Sequence, residues 1–333
     1  VSLSQLLNLF TWVGGKTKLA KEIISIMPSH EHYVEVFFGS GVIFFNKPRS
    51  PMNTINDFDG NLTNLWSQVR DNREALKDKV YWTLFSRNEH KKWLQHLETK
   101  FIGVSDLDRA LGYLFLILSS YQNMVGSGFT PSVKRNTADQ FNHDLIQKID
   151  ECGQALDSVV IENLSFYDLI PKYNSSECLL YCDPPYYSTS DSDIYQYNFS
   201  KDRHEYLFLK LMKSKANWML SYDSAPEIID MYKDYEQIRL KAGYNQQGKE
   251  KKVEELLILN FKHKHPQIDI FDKPEVESEI VTDDEKKQNE FVVQLKKEQE
   301  AEEVYKEEMK NINPLKLIKP KEEPSEDGQS SLF

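Results

Sequence analysis

The sequence predicts an α/β protein: a doubly wound, largely parallel sheet, interrupted by an inserted, mainly helical domain and followed by an acidic, mostly disordered tail. Three observations carry this. Short apolar runs alternate with helical patterns over residues 16–79 and again over 159–261, the alternation of a parallel sheet. The stretch between, 81–156, is aromatic and helix-rich without that alternation. Beyond residue 265 the chain turns to Glu, Lys, Gln, Asp and Pro, too poor in apolar residues to form a core.

Taken in order, residues 16–27 carry apolar side chains at helical spacing, and 33–38 (YVEVFF) reads as a buried strand ending in the turn Gly39-Ser40-Gly41. A second short strand near 53–56 ends in Asp57, and 61–79 reads as helix. In the middle region, 107–121 is strongly apolar and forms the core helix there; Gly126-Ser127-Gly128 and Pro131 interrupt the chain after it. Alternation resumes with strands at 159–163, 177–183, 217–222 and 256–261, and helical patterns at 203–215 and 226–235 lie between them. One further helix fits 283–310 in the tail. The expected organisation is therefore a first catalytic part, 1–65, an inserted domain, 66–157, a second catalytic part, 158–265, and a tail, 266–333.

Composition narrows the class. The 333 residues are 40% hydrophobic and carry a net charge of −11, which at first sight disfavours a polyanionic partner. The charge is uneven. From residue 266 onward there are 19 acidic and 10 basic residues, so the body before it is close to neutral and can still present a basic cleft. No apolar run approaches the ~20 residues of a membrane span, and no secretory leader is legible. The three cysteines, Cys152, Cys178 and Cys182, are odd in number and not at zinc spacing. They read as reduced thiols of a cytoplasmic protein, with no metal expected.

The strongest local feature is Asp183-Pro184-Pro185-Tyr186, straight after a buried strand. Ligands of open α/β sheets sit beyond the carboxyl ends of strands. There, the Asp183 carboxylate and the Pro184 carbonyl can both accept hydrogen bonds from an exocyclic amine whose lone pair is delocalised into a ring. The prolines fix the backbone so that the carbonyl stays aimed. Tyr186 can stack on a base swung out of a duplex. The plain alternative is a proline-stiffened turn after a core strand.

Three weaker features lie upstream. Trp12-Val13-Gly14-Gly15-Lys16 precedes a helix; its glycines allow close approach of a ligand, and Lys16 offers a cation for a carboxylate. Val34-Glu35-Val36-Phe37-Phe38-Gly39-Ser40-Gly41 places a glycine turn after the first strand, where nucleotide-like cofactors bind. Asp57, about 20 residues on, is placed to bind ribose hydroxyls. Each alone equally suits an ordinary turn or a strand-end acid.

Together, in this order, the motifs resemble the Dam-type (D12 class) adenine-N6 DNA methyltransferases in their α arrangement. The resemblance rests on W-x-G-G-K, V-E-x-F-x-G-x-G, Asp57 and D-P-P-Y, and spans roughly residues 9–261. It implies a Rossmann-like methyltransferase sheet, S-adenosylmethionine as cofactor and double-stranded DNA as substrate. The insertion becomes the target-recognition domain. Trp12, Gly14, Gly15, Lys16, Glu35, Phe37, Gly39, Ser40, Gly41, Asp57 and Asp183 become the cofactor set. Ser165-Phe166, standing where many relatives have Asp-Phe, would lie near the cofactor adenine. Asp183, Pro184, Pro185 and Tyr186 become the catalytic set.

The family's GATC readers carry a segment like R-x-N-x-x-G-x-F-N-V-P. Residues 121–131 keep Asn123, Gly126, Phe129 and Pro131 but neither the arginine nor F-N-V-P, so no target sequence is assigned. Asn123, Lys134, Arg135 and Tyr187 are the candidate DNA contacts; Lys134 and Arg135 read equally well as solvated surface charges. Residues 187–198 form either a substrate-side loop or a plain surface loop.

In the tail, Gln267-Ile268-Asp269-Ile270-Phe271 and Gln329-Ser330-Ser331-Leu332-Phe333 resemble the bacterial sliding-clamp-binding pentapeptide. Gln267, Ile270 and Phe271, with Gln329, Leu332 and Phe333, are then clamp-binding candidates, and two copies on one linker allow avidity. A last strand and an accidental match are the alternatives. The expected particle is a monomer or weak dimer associated with the nucleoid. Rival readings are a cytosine-N4 methyltransferase, a methylase of RNA or protein amides, and a catalytically silent DNA-binding module tethered to a clamp.

Overall fold

The computed structural model describes residues 6–12, 14–130, 141, 143–189, 199–246 and 249–263. The expected tail helix, both tail pentapeptides, Lys134 and Arg135 lie outside these residues.

Seven strands form one sheet: β1 (His32–Glu35), β2 (Met52–Asn56), β3 (Val160–Glu162), β4 (Cys178–Cys182), β5 (Asn217–Asp223), β6 (Glu236–Gln246) and β7 (Lys249–Leu259), in the order β3-β2-β1-β4-β5-β7-β6. The first five run parallel, and β7 lies antiparallel between β5 and β6. The chain moves outward from β1 to β3, then returns to place β4 on the other side of β1. The β1–β4 boundary is thus the topological switch point, where such sheets bind ligands.

The β6–β7 hairpin differs from the sequence reading, which finds only the apolar end of β7 and no β6. Both strands are long and rich in charged and amide residues, so the one continuous apolar run is residues 256–259, while β6 shows only an alternation of Ile238, Leu240, Ala242 and Tyr244 among polar residues. A second difference concerns the first helix, α1 (Ala20–Ile26), which begins four residues later than its spacing predicts. Lys16 is held in a preceding turn, with Leu19 N–H donating to its carbonyl.

Strand pleating sends alternate residues to two cores. On one face Tyr33, Ile55, Leu179, Tyr181, Met219 and Leu257 meet α1, α2 (Val42–Asn46) and α3 (Gly60–Asp71). On the other, Val34, Leu180, Cys182, Trp218, Leu220 and Ile258 meet α8 (Phe166–Lys172), α9 (Lys201–Met212) and α10 (Pro226–Met231). All five residues of β4 are buried, as a central strand covered on both faces requires.

The middle region is helical: α4 (Arg73–Trp82), α5 (Arg87–Glu98), α6 (Asp106–Ser119) and α7 (His143–Ala155). Helix α6 buries every residue from Ala110 to Ser119. It packs on α3 and α5, and α7 packs on α3 and α4. Gly112 is required at the α5 crossing, because a Cβ there would sit 2.3 Å from the Trp93 ring. These helices share one continuous core with the first face of the sheet. The expected boundary at 65/66 falls inside α3, where Trp66 is fully buried against Phe10, Phe38 and Phe45. Among the described residues no helix is long and apolar enough to cross a membrane.

Candidate active site

A concave pocket opens at the switch point. It is lined by Trp12, Gly14, Gly15 and Lys16 before α1; by Glu35, Phe37, Gly39 and Ser40 after β1; by Asp57 after β2; by Ser165 and Phe166 after β3; and by Asp183, Pro184, Pro185 and Tyr186 after β4. Stretches separated by up to about 170 residues of chain meet here because each sits at the carboxyl end of one of four adjacent parallel strands, or just before α1. Asn123 also lines the pocket, from the turn after α6. Two expected residues do not line it. Gly41 sits behind, at φ 66° before the first turn of α2, where a Cβ would lie 2.3 Å from the Phe38 ring. Tyr187 sits in a short 3-10 turn, packed against the buried His204 ring.

The glycines act by close approach. Gly39 has φ +51°, and a Cβ there would come within 3.3 Å of the Trp12 indole. Its N–H donates to the Asp57 carboxylate at 2.9 Å, and its carbonyl accepts from Trp66 Nε1 at 3.1 Å. Asp57 receives a second amide, from Asp59, at 3.0 Å. Loss of solvent pushes the Asp57 carboxyl up to about 6, although these amides pull the other way. A carboxylate has about four acceptor positions, so Asp57 retains capacity toward the pocket.

Lys16 is the electrostatic centre. Its ammonium, 3% exposed, donates to Asp183 Oδ1 at 2.5 Å, to the Tyr186 hydroxyl at 2.8 Å and to the Gly14 carbonyl at 3.1 Å, and lies 3.1 Å from Glu255 Oε1. The Tyr186 hydroxyl in turn donates to both Glu255 oxygens, at 2.6 and 2.7 Å. Burial acts against the Lys16 charge, but the Asp183 and Glu255 carboxylates outweigh it and raise the pKa. Burial raises Asp183 and Glu255 as well, with Lys16 opposing in both. Next to them, burial pushes Glu35 up to about 8 even though the Tyr33 hydroxyl donates to it at 2.8 Å. The sequence reading aims Lys16 at a ligand carboxylate; in the fold its partners are two carboxylates of the chain itself.

Several residues that shape the site carry no strong sequence signal. Asn56, the last residue of β2, donates to Val36 O at 2.8 Å and Leu164 O at 3.0 Å and accepts from Leu164 N–H at 2.8 Å, tying three strand ends together. The buried Asp59 carboxylate accepts from the Tyr113 hydroxyl, which joins α6 to the pocket floor. Asp223, ending β5, accepts the amides of Tyr187 and Ser188 at 3.3 and 3.1 Å and so anchors the segment after the tetrad. Ser165 caps α8: its hydroxyl accepts from Asp168 N–H and donates to Asp168 Oδ2 at 2.8 Å. Phe37, Phe166 and Phe199 cluster at 5.5–6.0 Å between ring centres and give the pocket an apolar wall. Arg203, on α9, also lines the pocket.

The sheet order and the pocket at its switch point define a class, the Rossmann-like methyltransferases. A family model, the D12 class N6 adenine-specific DNA methyltransferases, matches residues 12–246, and the chain belongs to that family. It is an adenine-specific DNA methyltransferase, an enzyme that requires a methyl donor and a DNA substrate. Among curated proteins it is similar to the Type II methyltransferase M1.LlaDCHI of Lactococcus lactis subsp. cremoris, 25% identical over 281 residues that cover 75% of this chain and 94% of that one. Among solved structures it matches a candidate RNA methyltransferase from Pyrococcus horikoshii at TM-score 0.34 and 9% identity, covering 73% of this chain and 80% of that one.

Proposed function

We propose that the enzyme uses S-adenosylmethionine to methylate N6 of an adenine flipped out of duplex DNA, by direct attack of the amine. The observation that carries this is the half-buried Asp183 carboxylate at the switch point, one strand end away from the Gly39 and Asp57 strand ends and in the same pocket. The residues present fit the cofactor. Gly39, where a Cβ would come within 3.3 Å of the Trp12 indole, lets backbone and indole line the pocket together, Asp57 can accept from ribose hydroxyls, and the Phe37–Phe166–Phe199 wall suits a purine. When bound, S-adenosylmethionine supplies a methyl group activated by a sulfonium.

The chain's own part is to hold the amine. Asp183 and the Pro184 carbonyl accept the two N6 hydrogens and draw electron density onto the nitrogen. The raised basicity of Asp183 suits it to take the proton the nitrogen sheds once the new bond forms. Tyr186 offers a ring face for the flipped base. The helical insertion reads the DNA, with Asn123 at the pocket rim and Lys134, Arg135 and Tyr187 as further contacts. The assay is transfer of labelled methyl to duplex DNA. The reading expects Asp183→Ala to abolish it, and transfer at the normal rate sinks the assignment.

The tail reading is separate. Gln267, Ile270 and Phe271, with Gln329, Leu332 and Phe333, would bind a bacterial sliding clamp and bring the enzyme, a monomer or weak dimer, to newly replicated DNA. Deleting Leu332 and Phe333 weakens capture on immobilised clamp. Unchanged affinity after that deletion, with Gln267, Ile270 and Phe271 also replaced by Ala, refutes it.

A further inference from the structure

We infer that Glu255 is a positioning residue for the reaction: by sharing Lys16 with Asp183 and holding the Tyr186 hydroxyl, it keeps Asp183 in place and keeps its carboxylate from being fully neutralised by the lysine. The inference rests on the reading of Asp183 as the acceptor for the target amine.

The geometry is specific. Glu255 stands on β7 directly opposite Asp223 on β5. Like charges in that cross-strand position repel, and Glu255 is also almost wholly buried, 4% exposed. An apolar residue would pack there at lower cost, as its neighbours at 256–259 do. What the two acids do together accounts for their placement. Asp223 takes the amides of Tyr187 and Ser188, and Glu255 takes the Tyr186 hydroxyl with both oxygens. The turn leaving the tetrad is thereby held at three consecutive residues.

The charge balance is the second part. Around Asp183 stand Lys16 before α1, Glu35 on β1, Tyr181 and Cys182 on β4, Tyr186 after it, Tyr222 on β5 and Glu255 on β7. The tyrosines and the thiol are pushed up by burial and stay neutral, and Glu35 is largely protonated at neutral pH. Within this group, one ammonium therefore faces two carboxylates. With Glu255 present, Asp183 keeps part of its negative charge for the N6 hydrogens. Without it, Lys16 turns wholly to Asp183 and weakens it as an acceptor.

The test is single-turnover methyl transfer by the full chain at saturating cofactor and DNA, measured across pH, for wild type, Glu255→Gln and Glu255→Asp, with Asp183→Asn in parallel. Glu255→Gln keeps an acceptor for Tyr186 but removes the charge. Its rate is expected to fall about ten-fold, with cofactor and DNA affinities within about two-fold of wild type. Its acid limb is expected to move down by on the order of one pH unit, because loss of a like charge eases ionisation of Asp183. Glu255→Asp restores the limb. A limb that does not move in a folded Glu255→Gln protein, or an unchanged rate, overturns the inference while an inactive Asp183→Asn leaves the catalytic reading standing. An active Asp183→Asn overturns both.

Discussion

Replacing Lys16 by Met keeps most of the side-chain volume and removes the ammonium. Lys16 is 3% exposed and has Asp183 at 2.5 Å and Glu255 at 3.1 Å, with side-chain exposures of 20% and 5%. Breaking a buried pair by removing one partner costs about 3–5 kcal/mol, because the other charge is left without compensation. For a chain of this size that is roughly 6–20 °C in Tm, at about 2–4 °C per kcal/mol. The loss depends on pH in a known direction. Both carboxyls are already raised in the folded protein, and loss of Lys16 raises them further. A group whose folded pKa lies above its unfolded value supports the fold below the unfolded value and withdraws that support as pH rises through the folded one. The deficit of Lys16→Met is therefore smaller at a mildly acid pH, where the acids can take up protons, than at a mildly alkaline pH, where they are ionised. Thermal or urea unfolding of both proteins at the two pH values measures it. Equal deficits at both, or none at the higher, would refute the account of Lys16 as the counter-ion of Asp183 and the buried Glu255.

The pocket sets two further expectations. Cofactor affinity, measured by calorimetry, is expected to fall as pH drops through about 6, because Asp57, with its carboxyl at about 6, is the stronger acceptor for hydroxyls when ionised. Asp57→Asn should abolish that pH dependence. Gly41→Ala, at φ +66° with a Cβ 2.3 Å from the Phe38 ring, is expected to destabilise the fold by about 1–3 kcal/mol through left-handed strain and overpacking, read by urea unfolding.

Much of the site is legible in the sequence because its residues are local in the chain. Asp183-Pro184-Pro185-Tyr186 follows a five-residue apolar strand, and the Gly39 turn follows the four-residue first strand, so strand and turn chemistry locate both ends of the pocket. The residues that are not legible act across the fold. Glu255 is one acid in a strand whose earlier half is charged, and nothing in its neighbourhood points to a lysine 239 positions upstream. Asn56, Asp59 and Asp223 matter through the backbone amides and hydroxyls they receive, which no side-chain pattern records. Lys16 stands out in its motif, but its partners do not. The start of α1 is misplaced by spacing for the same reason, since the tertiary pairing of Lys16 overrides the helical pattern of its neighbours. The sequence also overstates the separateness of the insertion, because α6 is apolar on nearly all sides and only the three-dimensional packing shows that α3 covers part of it.

The central claim is that Asp183 serves methyl transfer to adenine N6. Mass spectrometry of nucleosides from duplex DNA incubated with the enzyme and isotopically labelled S-adenosylmethionine tests it most directly. The account predicts labelled N6-methyldeoxyadenosine from wild type and none from Asp183→Ala. Labelled N4-methyldeoxycytidine, or labelled adenine from the Asp183→Ala protein, would contradict it.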